Sequence, residues 1–302
     1  MKFTMKNRIK PCLCISLVIM AIALVMTFMG YGMNLGIDFT GGTLMTYSMG
    51  GEFDTGDVSA ALAACGVSDA QIAKTGDNAT EVQIRISDKE NTDELRSAFE
   101  EEISKTYPAV EYVDITRVGA VAGRDLINNA VKSVAFAAIL MLIYIAVRFD
   151  FYSGLAAVIG LIHDVAIMLA FMVLLRSVIR VDSTFIAALL TIVGYSINNT
   201  IIIFDRIREN SHKAGVRSLP REEIVNKSVT ESLPRTLNTT ITTLLTIVTL
   251  YVLGVDSIRQ FALPLIIGIL AGTYSANLIN GYVWAALMDW RAASKRKAKA
   301  KA

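Results

Sequence analysis

Of the chain's 302 residues, 53% are hydrophobic and only 19% charged, and mean hydropathy is +0.49. An average soluble domain is about 45–50% apolar and about 25% charged. The excess lies in long charge-free runs, which excludes an all-soluble globular chain and points to a membrane protein. The net charge of +2 says little, because local biases of opposite sign cancel within it. Cys12, Cys14 and Cys65 offer neither a disulfide pair nor metal-ligand spacing, and small apolar filler is the plainer reading.

About 20 helical residues cross 30 Å of hydrocarbon, and six runs meet that length: 12–31, 127–147, 154–175, 183–205, 236–253 and 262–288. The first follows Lys2, Lys6, Arg8 and Lys10 and so imitates a secretory signal. Its apolar stretch exceeds an h-region and no small-x-small cleavage site follows, so it reads as a retained anchor. The N-terminus, the 148–153 and 206–235 loops and the tail after Trp290 hold 18 Lys and Arg, against 3 in the 176–182 and 254–261 loops. Cytoplasmic loops carry that excess, so both termini are expected in the cytoplasm. The chain divides into an N-terminus with its first helix (1–31), an external domain (32–126), a five-helix region (127–290) with a basic loop at 206–235, and a basic tail (291–302).

The external segment has 17 Asp and Glu against 7 Lys and Arg, and it is patterned like a small soluble domain. Residues 43–49 predict a strand. A helix is expected from Asp57 through Val58, Leu62 and Cys65, stopped by Gly66. Residues 71–74 and 81–86 predict strands, the second alternating strictly between apolar and polar. Asn91 and Glu94 form a cap pair for a helix through Leu95, Phe99 and Ile103 that ends before Pro108. Residues 110–116 predict the last strand. The order β-α-β-β-α-β is a ferredoxin-like α+β plan; its acidic balance suits either a basic partner surface or plain solvation.

Ionisable or strongly polar side chains inside a span cost about 2.5–3.5 kcal/mol on insertion scales and are functional candidates by default. The third span carries His163 and Asp164 near its middle. The fourth carries Ser196, Asn198, Asn199 and Thr200, then Asp205 and Arg206 at its cytoplasmic end. The fifth is expected to begin at Pro234-Arg235, and the sixth holds Tyr274, Asn277 and Asn280. Asn199 lies about 9 Å up its helix from Asp205, and Arg235 would enter from the same face, so the two are expected to meet in an antiparallel hairpin. Interhelical hydrogen bonding is the rival reading for the amides and threonines, and snorkelling for Arg235. Gly268, Gly272 and Ala276 form a small-residue stripe for close helix packing. With two histidines in all, no phosphate loop and no nucleophile–base pair, the sequence predicts no enzyme, no cofactor, no metal and no nucleic-acid partner.

These residues resemble a family. Gly36-Ile-Asp38-Phe39-Thr-Gly41-Gly42 resembles the GxDFxGG signature of the SecD/SecF protein-export family, and residues 194–210, ending through Asp205-Arg206, are similar to its SecF-branch fourth-span motif. Val147–Asp150, His163–Val165, Glu231–Thr236 and Gly272–Ser275 are similar to other spans of that branch, so the resemblance runs from about Ile9 to Arg291. It implies a six-span, RND-like half in the bacterial inner membrane, paired with SecD and associated with the SecYEG channel and an exported polypeptide. It also implies that a proton or sodium gradient assists export. Relatives usually carry aspartate where Asn199 stands, and an amide cannot titrate. Coupling would then rest on SecD, on Asp164 or on another ion. A small-solute RND-like transporter is the alternative, although no second copy of either motif is present; a ligand-sensing receptor lacks a cytoplasmic signalling module.

Overall fold

The computed structural model describes residues 9–67, 70–76, 80–86, 92–216 and 218–301. Lys2, Lys6, Arg8 and Asn91, named above, lie outside them. In chain order the elements are α1 (Ile9–Phe28), α2 (Ile37–Thr40), β1 (Gly42–Ser48), α3 (Thr55–Ala64), β2 (Gln71–Thr75), β3 (Glu81–Ile86), α4 (Thr92–Ser104) and β4 (Glu111–Val118). Then come α5 (Ala120–Arg148), α6 (Phe151–Leu174), α7 (Thr184–His212), α8 (Arg221–Leu253), α9 (Asp256–Ser275), a π-helical turn (Ala276–Asn280) and α10 (Gly281–Lys301). Among the described residues six stretches are long and apolar enough to cross a membrane, as expected. Exposed Val131, Phe136, Ile139 and Val147 on α5 suit lipid rather than water.

The strands form one antiparallel sheet in the order β2-β3-β1-β4, the ferredoxin-like arrangement the pattern predicts. Along β3 the alternation divides the sheet's faces: Val82, Ile84 and Ile86 join Met45, Tyr47, Leu62 and Phe99 in a core under α3 and α4. Helix α3 starts two residues before the expected Asp57, because Asp54 is the cap and accepts from the Gly56 N–H at 3.1 Å. Since this core is separate from those of the bundle, residues 40–118 are expected to fold alone as a soluble monomer. A dispersed amide spectrum of that fragment checks this, and a collapsed one refutes it.

Two helices are longer than the hydropathy suggests. α7 continues to His212 and α8 begins at Arg221, so the basic 206–235 segment is two helical extensions joined by a short connection. Arg206 pairs with Glu209 within α7 and with Glu231 across to α8, and the buried Asn210 amide donates to Ser228 Oγ and Glu231. Arg235 is therefore well inside α8 rather than in its first turn, and Pro234 sits within the helix. The 176–182 connection returns to the sheet domain, with Val181 bridging Leu35 and Arg180 donating to Gln83 at 2.8 Å.

Candidate functional site

Asp164 lies about 20 Å along α6 from its first residue, near the middle of the span. It is wholly enclosed at 0% exposure. Its Oδ2 accepts from Ser196 Oγ of α7 at 2.5 Å and from Ser275 Oγ of α9 at 2.8 Å. Its Oδ1 lies 3.0 Å from His163 Nδ1. An ionised carboxylate only accepts, so the proton between them sits on His163 Nδ1 in that state. The other ring nitrogen, Nε2, lies 2.9 Å from Ser16 Oγ of α1, which in turn lies 3.4 Å from the Tyr274 hydroxyl. The imidazole stacks on the Tyr274 ring at 6.0 Å between centroids. Four helices thus supply a continuous hydrogen-bonded row around one carboxylate, which offsets the cost of keeping it out of water.

A second polar layer adjoins the first through Ser196 and Thr200, one turn apart on α7. Asn199 is also at 0% exposure; its Nδ2 donates to Thr273 Oγ1 at 3.3 Å, and Thr273 and Thr240 share a hydrogen bond of 2.8 Å. Asn280 donates to Thr200 Oγ1 at 2.8 Å, and Thr236 donates to Asn277 Oδ1 at 3.2 Å. The Oδ1 atoms of Asn199 and Asn280 are buried without a hydrogen-bond partner. The small-residue stripe makes this approach feasible: a Cβ on Gly268 would stand 2.5 Å from Ile192. The π-helical turn carries buried Asn277 and Asn280 in this layer.

The other expected site residues lie elsewhere. Arg235 is on the exposed face of α8, while Thr236 and Thr240 of the same helix face Asn277 and Thr273. The expected meeting of Asn199 and Arg235 is therefore absent among the described residues, because Arg235 sits a step of about 100° around the helix from Thr236. Asn198 is exposed on α7 for the same reason. Asp205 is exposed and lies 3.5 Å from Arg148, and Arg206 joins the ion pairs between the α7 and α8 extensions. Ser16 carries no signal in the sequence, and Thr273 and Ser275 are marked there only as part of the Gly272–Ser275 stretch, with no site role. Serine and threonine hide in spans because they can return a hydroxyl bond to their own helix, as Ser275 does to the Gly272 carbonyl.

The Gly36–Gly42 stretch is a joint between the domains. Gly36 N–H donates to the Val181 carbonyl at 2.7 Å, and Asp38 Oδ2 accepts from the Ser183 N–H at 2.7 Å, at the start of α7. Phe39 lies against the cluster of Phe185, Leu265 and Ile269. Gly41 and Gly42 have φ of 72° and 122°, and a Cβ on Gly42 would meet the Ile86 carbonyl at 2.5 Å. Both positions therefore need glycine for the chain to turn from α2 into β1.

Two family profiles match: "Protein export membrane protein SecD/SecF, C-terminal" over residues 98–290 and "SecD/SecF GG Motif" over residues 28–50. The protein translocase subunit SecF of Sebaldella termitidis is 37% identical over 252 residues, covering 81% of this chain and 79% of that protein. The SecDF of Bacillus subtilis is 31% identical over 271 residues, covering 88% of this chain but 35% of that longer protein. The crystal structure of SecDF from Thermus thermophilus, described as a translocon-associated membrane protein, superposes with a TM-score of 0.80 at 34% identity, covering 94% of this chain and 38% of that one. A SecDF structure in a super-membrane-facing form gives a TM-score of 0.69 at 32% identity, covering all of this chain and 40% of that one. This chain thus spans about two fifths of the SecDF chains it superposes on.

Proposed function

The chain belongs to the SecF branch of the SecD/SecF family of protein-export membrane proteins, and on that premise we propose that it is an accessory translocase subunit that couples an ion gradient to polypeptide export. The observation carrying the coupling role is Asp164: a fully enclosed mid-span carboxylate held by donors from two neighbouring helices and by an adjacent imidazole. Asn199 cannot gain or lose a proton, so within this chain the exchangeable charge is assigned to Asp164, with His163 as its partner. A hydrogen-bonded row from Asp164 through His163 and Ser16 to Tyr274 gives a proton a route between helices.

The multi-pass inner-membrane chain supplies six spans, and a SecD-type partner supplies the rest of the assembly. The SecDF relative, in which a matching region is part of one longer chain, supports that pairing. The SecYEG channel and the exported polypeptide are the remaining partners of the proposal. Co-purification with a SecD-type protein and gradient-dependent stimulation of export test it; normal gradient-dependent export from membranes lacking this chain would overturn it.

Both termini are assigned to the cytoplasm on the 18-to-3 asymmetry of Lys and Arg. In a cysteine-free background, a cysteine at the exposed Glu101 is expected to react with an impermeant thiol reagent in intact cells, and one at Ser218 only after lysis. The reverse pattern would invert the topology.

A further inference from the structure

The face of the sheet turned away from α3 and α4 carries Glu81, Gln83 and Arg85, and it lies over the ends of the spans. Between it and the 180–182 and 254–260 segments is a cavity of about 750 Å³. Three guanidinium groups line it: Arg85 from the sheet, and Arg180 and Arg259 from the connections of the bundle. Lys74 also borders it, but its ammonium is held on the other side of the sheet, donating to the Phe53 carbonyl and lying over the Phe53 ring. Asp38, Glu81 and Asp182 also line it. Two of these acids are engaged in capping α7: Asp38 accepts from the Ser183 N–H, and Asp182 accepts from the Thr184 N–H at 2.9 Å and its hydroxyl at 2.5 Å.

Arg85 is the central group. It is only 9% exposed, and its Nη1 donates to two neutral acceptors, the Leu35 carbonyl at 2.6 Å and Gln71 Oε1 at 3.3 Å. Its Nε is buried with no hydrogen-bond partner. Burial and the neighbouring Arg180 guanidinium push it down to about 10, with Asp38 acting the other way. Arg259, exposed at the cavity's edge, donates only weakly to the Val252 carbonyl, at 3.4 Å. A nearly buried guanidinium with a donor to spare favours an oxyanion it can bind in a forked geometry.

We propose that this cavity binds a phosphate oxyanion, supplied by the headgroup of an anionic phospholipid in the leaflet on the sheet-domain side. Two features favour lipid over free phosphate. The cations gather where the spans emerge, which is the headgroup layer. A separate apolar groove of about 740 Å³ between α5, α6 and α7, lined by residues such as Phe39, Val134, Leu161, Leu169 and Phe185, lies beside the same joint. Leu35, Phe39 and Val181 face that groove, while their chain neighbours Gly36, Asp38, Arg180 and Asp182 face the basic cavity. An acyl chain and its headgroup would be served by adjoining surfaces. Because Arg85 comes from the sheet domain and Arg180 and Arg259 from the bundle, the bound headgroup clamps the sheet domain onto the bundle. The inference is independent of the coupling role of Asp164.

The test uses the purified full chain in neutral detergent, titrated with phosphatidylglycerol, phosphatidylcholine or inorganic phosphate, and read by native mass spectrometry and thermal unfolding. Phosphatidylglycerol is expected to bind preferentially and to stabilise the chain. At about 1 kcal/mol for each basic group at an anionic surface, Arg85→Gln and Arg259→Gln should each weaken that binding by about fivefold. Arg208→Gln, at the other end of α7, should leave it unchanged. Arg85 also ties β3 to Leu35, so Arg259→Gln keeps the test decisive if Arg85→Gln fails to fold. Equal binding of the two lipids, or an equal loss in Arg208→Gln, would overturn the site. Inorganic phosphate matching the lipid's stabilisation would overturn the lipid as its source.

Discussion

Asp164→Asn is expected to give a folded, inserted chain that no longer links export to the ion gradient. The substitution keeps the shape of the side chain and an acceptor oxygen, but replaces an exchangeable proton site with an amide. Hydroxyls rotate, so Ser196 and Ser275 can keep one good acceptor between them, and the stability loss should stay near 1–2 kcal/mol, about the cost of one impaired buried hydrogen bond. Export stimulation should fall to the level seen without the gradient. Asp164→Leu should be worse in a different way: Ser275 can turn back to the Gly272 carbonyl, but the donors of Ser196 and His163 are stranded at about 1–3 kcal/mol each, which should lower the yield of folded protein. Reporter export into vesicles with and without the gradient, alongside unfolding in detergent, separates the two effects. Full gradient-dependent stimulation by Asp164→Asn would move the coupling charge out of this chain.

The parts of the fold that were legible were those where a strong period or an expensive residue forced the reading. The six apolar runs, the alternation of β3 and the 3.6-residue spacing of Leu95, Phe99 and Ile103 each translate directly into an element and its buried face. Hydropathy failed at the first half of α8, because Glu222, Glu223, Asn226 and Glu231 keep the average low. Periodicity would have found it: Ile224, Val225, Ser228, Val229 and Ser232 are buried along one stripe, behind acidic residues in the first turn. At the site, a mid-span Asp next to His announces itself by its cost, whereas Ser16 and Ser275 do not, since lone serines are inexpensive in helices. Their role exists only because α1 and α9 are brought against α6, and that register depends on how three helices interlock. The placement of Arg235 failed for a related reason. A span boundary drawn from apolar residues fixed neither where the helix began nor which of two adjacent residues faced inward.

That placement makes Asn199→Asp and Arg235→Ala an informative pair. Asn199 is fully enclosed, its amide reaches Thr273, and Arg235 stands on the exposed face of α8. A carboxylate at 199 would find only hydroxyl neighbours: Thr273 already donates to the Ile269 carbonyl and shares a bond with Thr240. A buried charge without a counter-charge costs about 3–5 kcal/mol, so Asn199→Asp is expected to destabilise the detergent-solubilised chain severely. Arg235→Ala alone removes an exposed side chain and should change stability by no more than about 0.5 kcal/mol. If the two residues do not meet, the double variant should equal the sum of the singles within about 0.5 kcal/mol. Denaturant unfolding of the four proteins measures the cycle. A coupling energy above about 1 kcal/mol would mean that Arg235 swings inward to meet the new carboxylate. The hairpin pairing read from the sequence would then be restored, and the outward placement of Arg235 would describe only the neutral, asparagine-bearing chain.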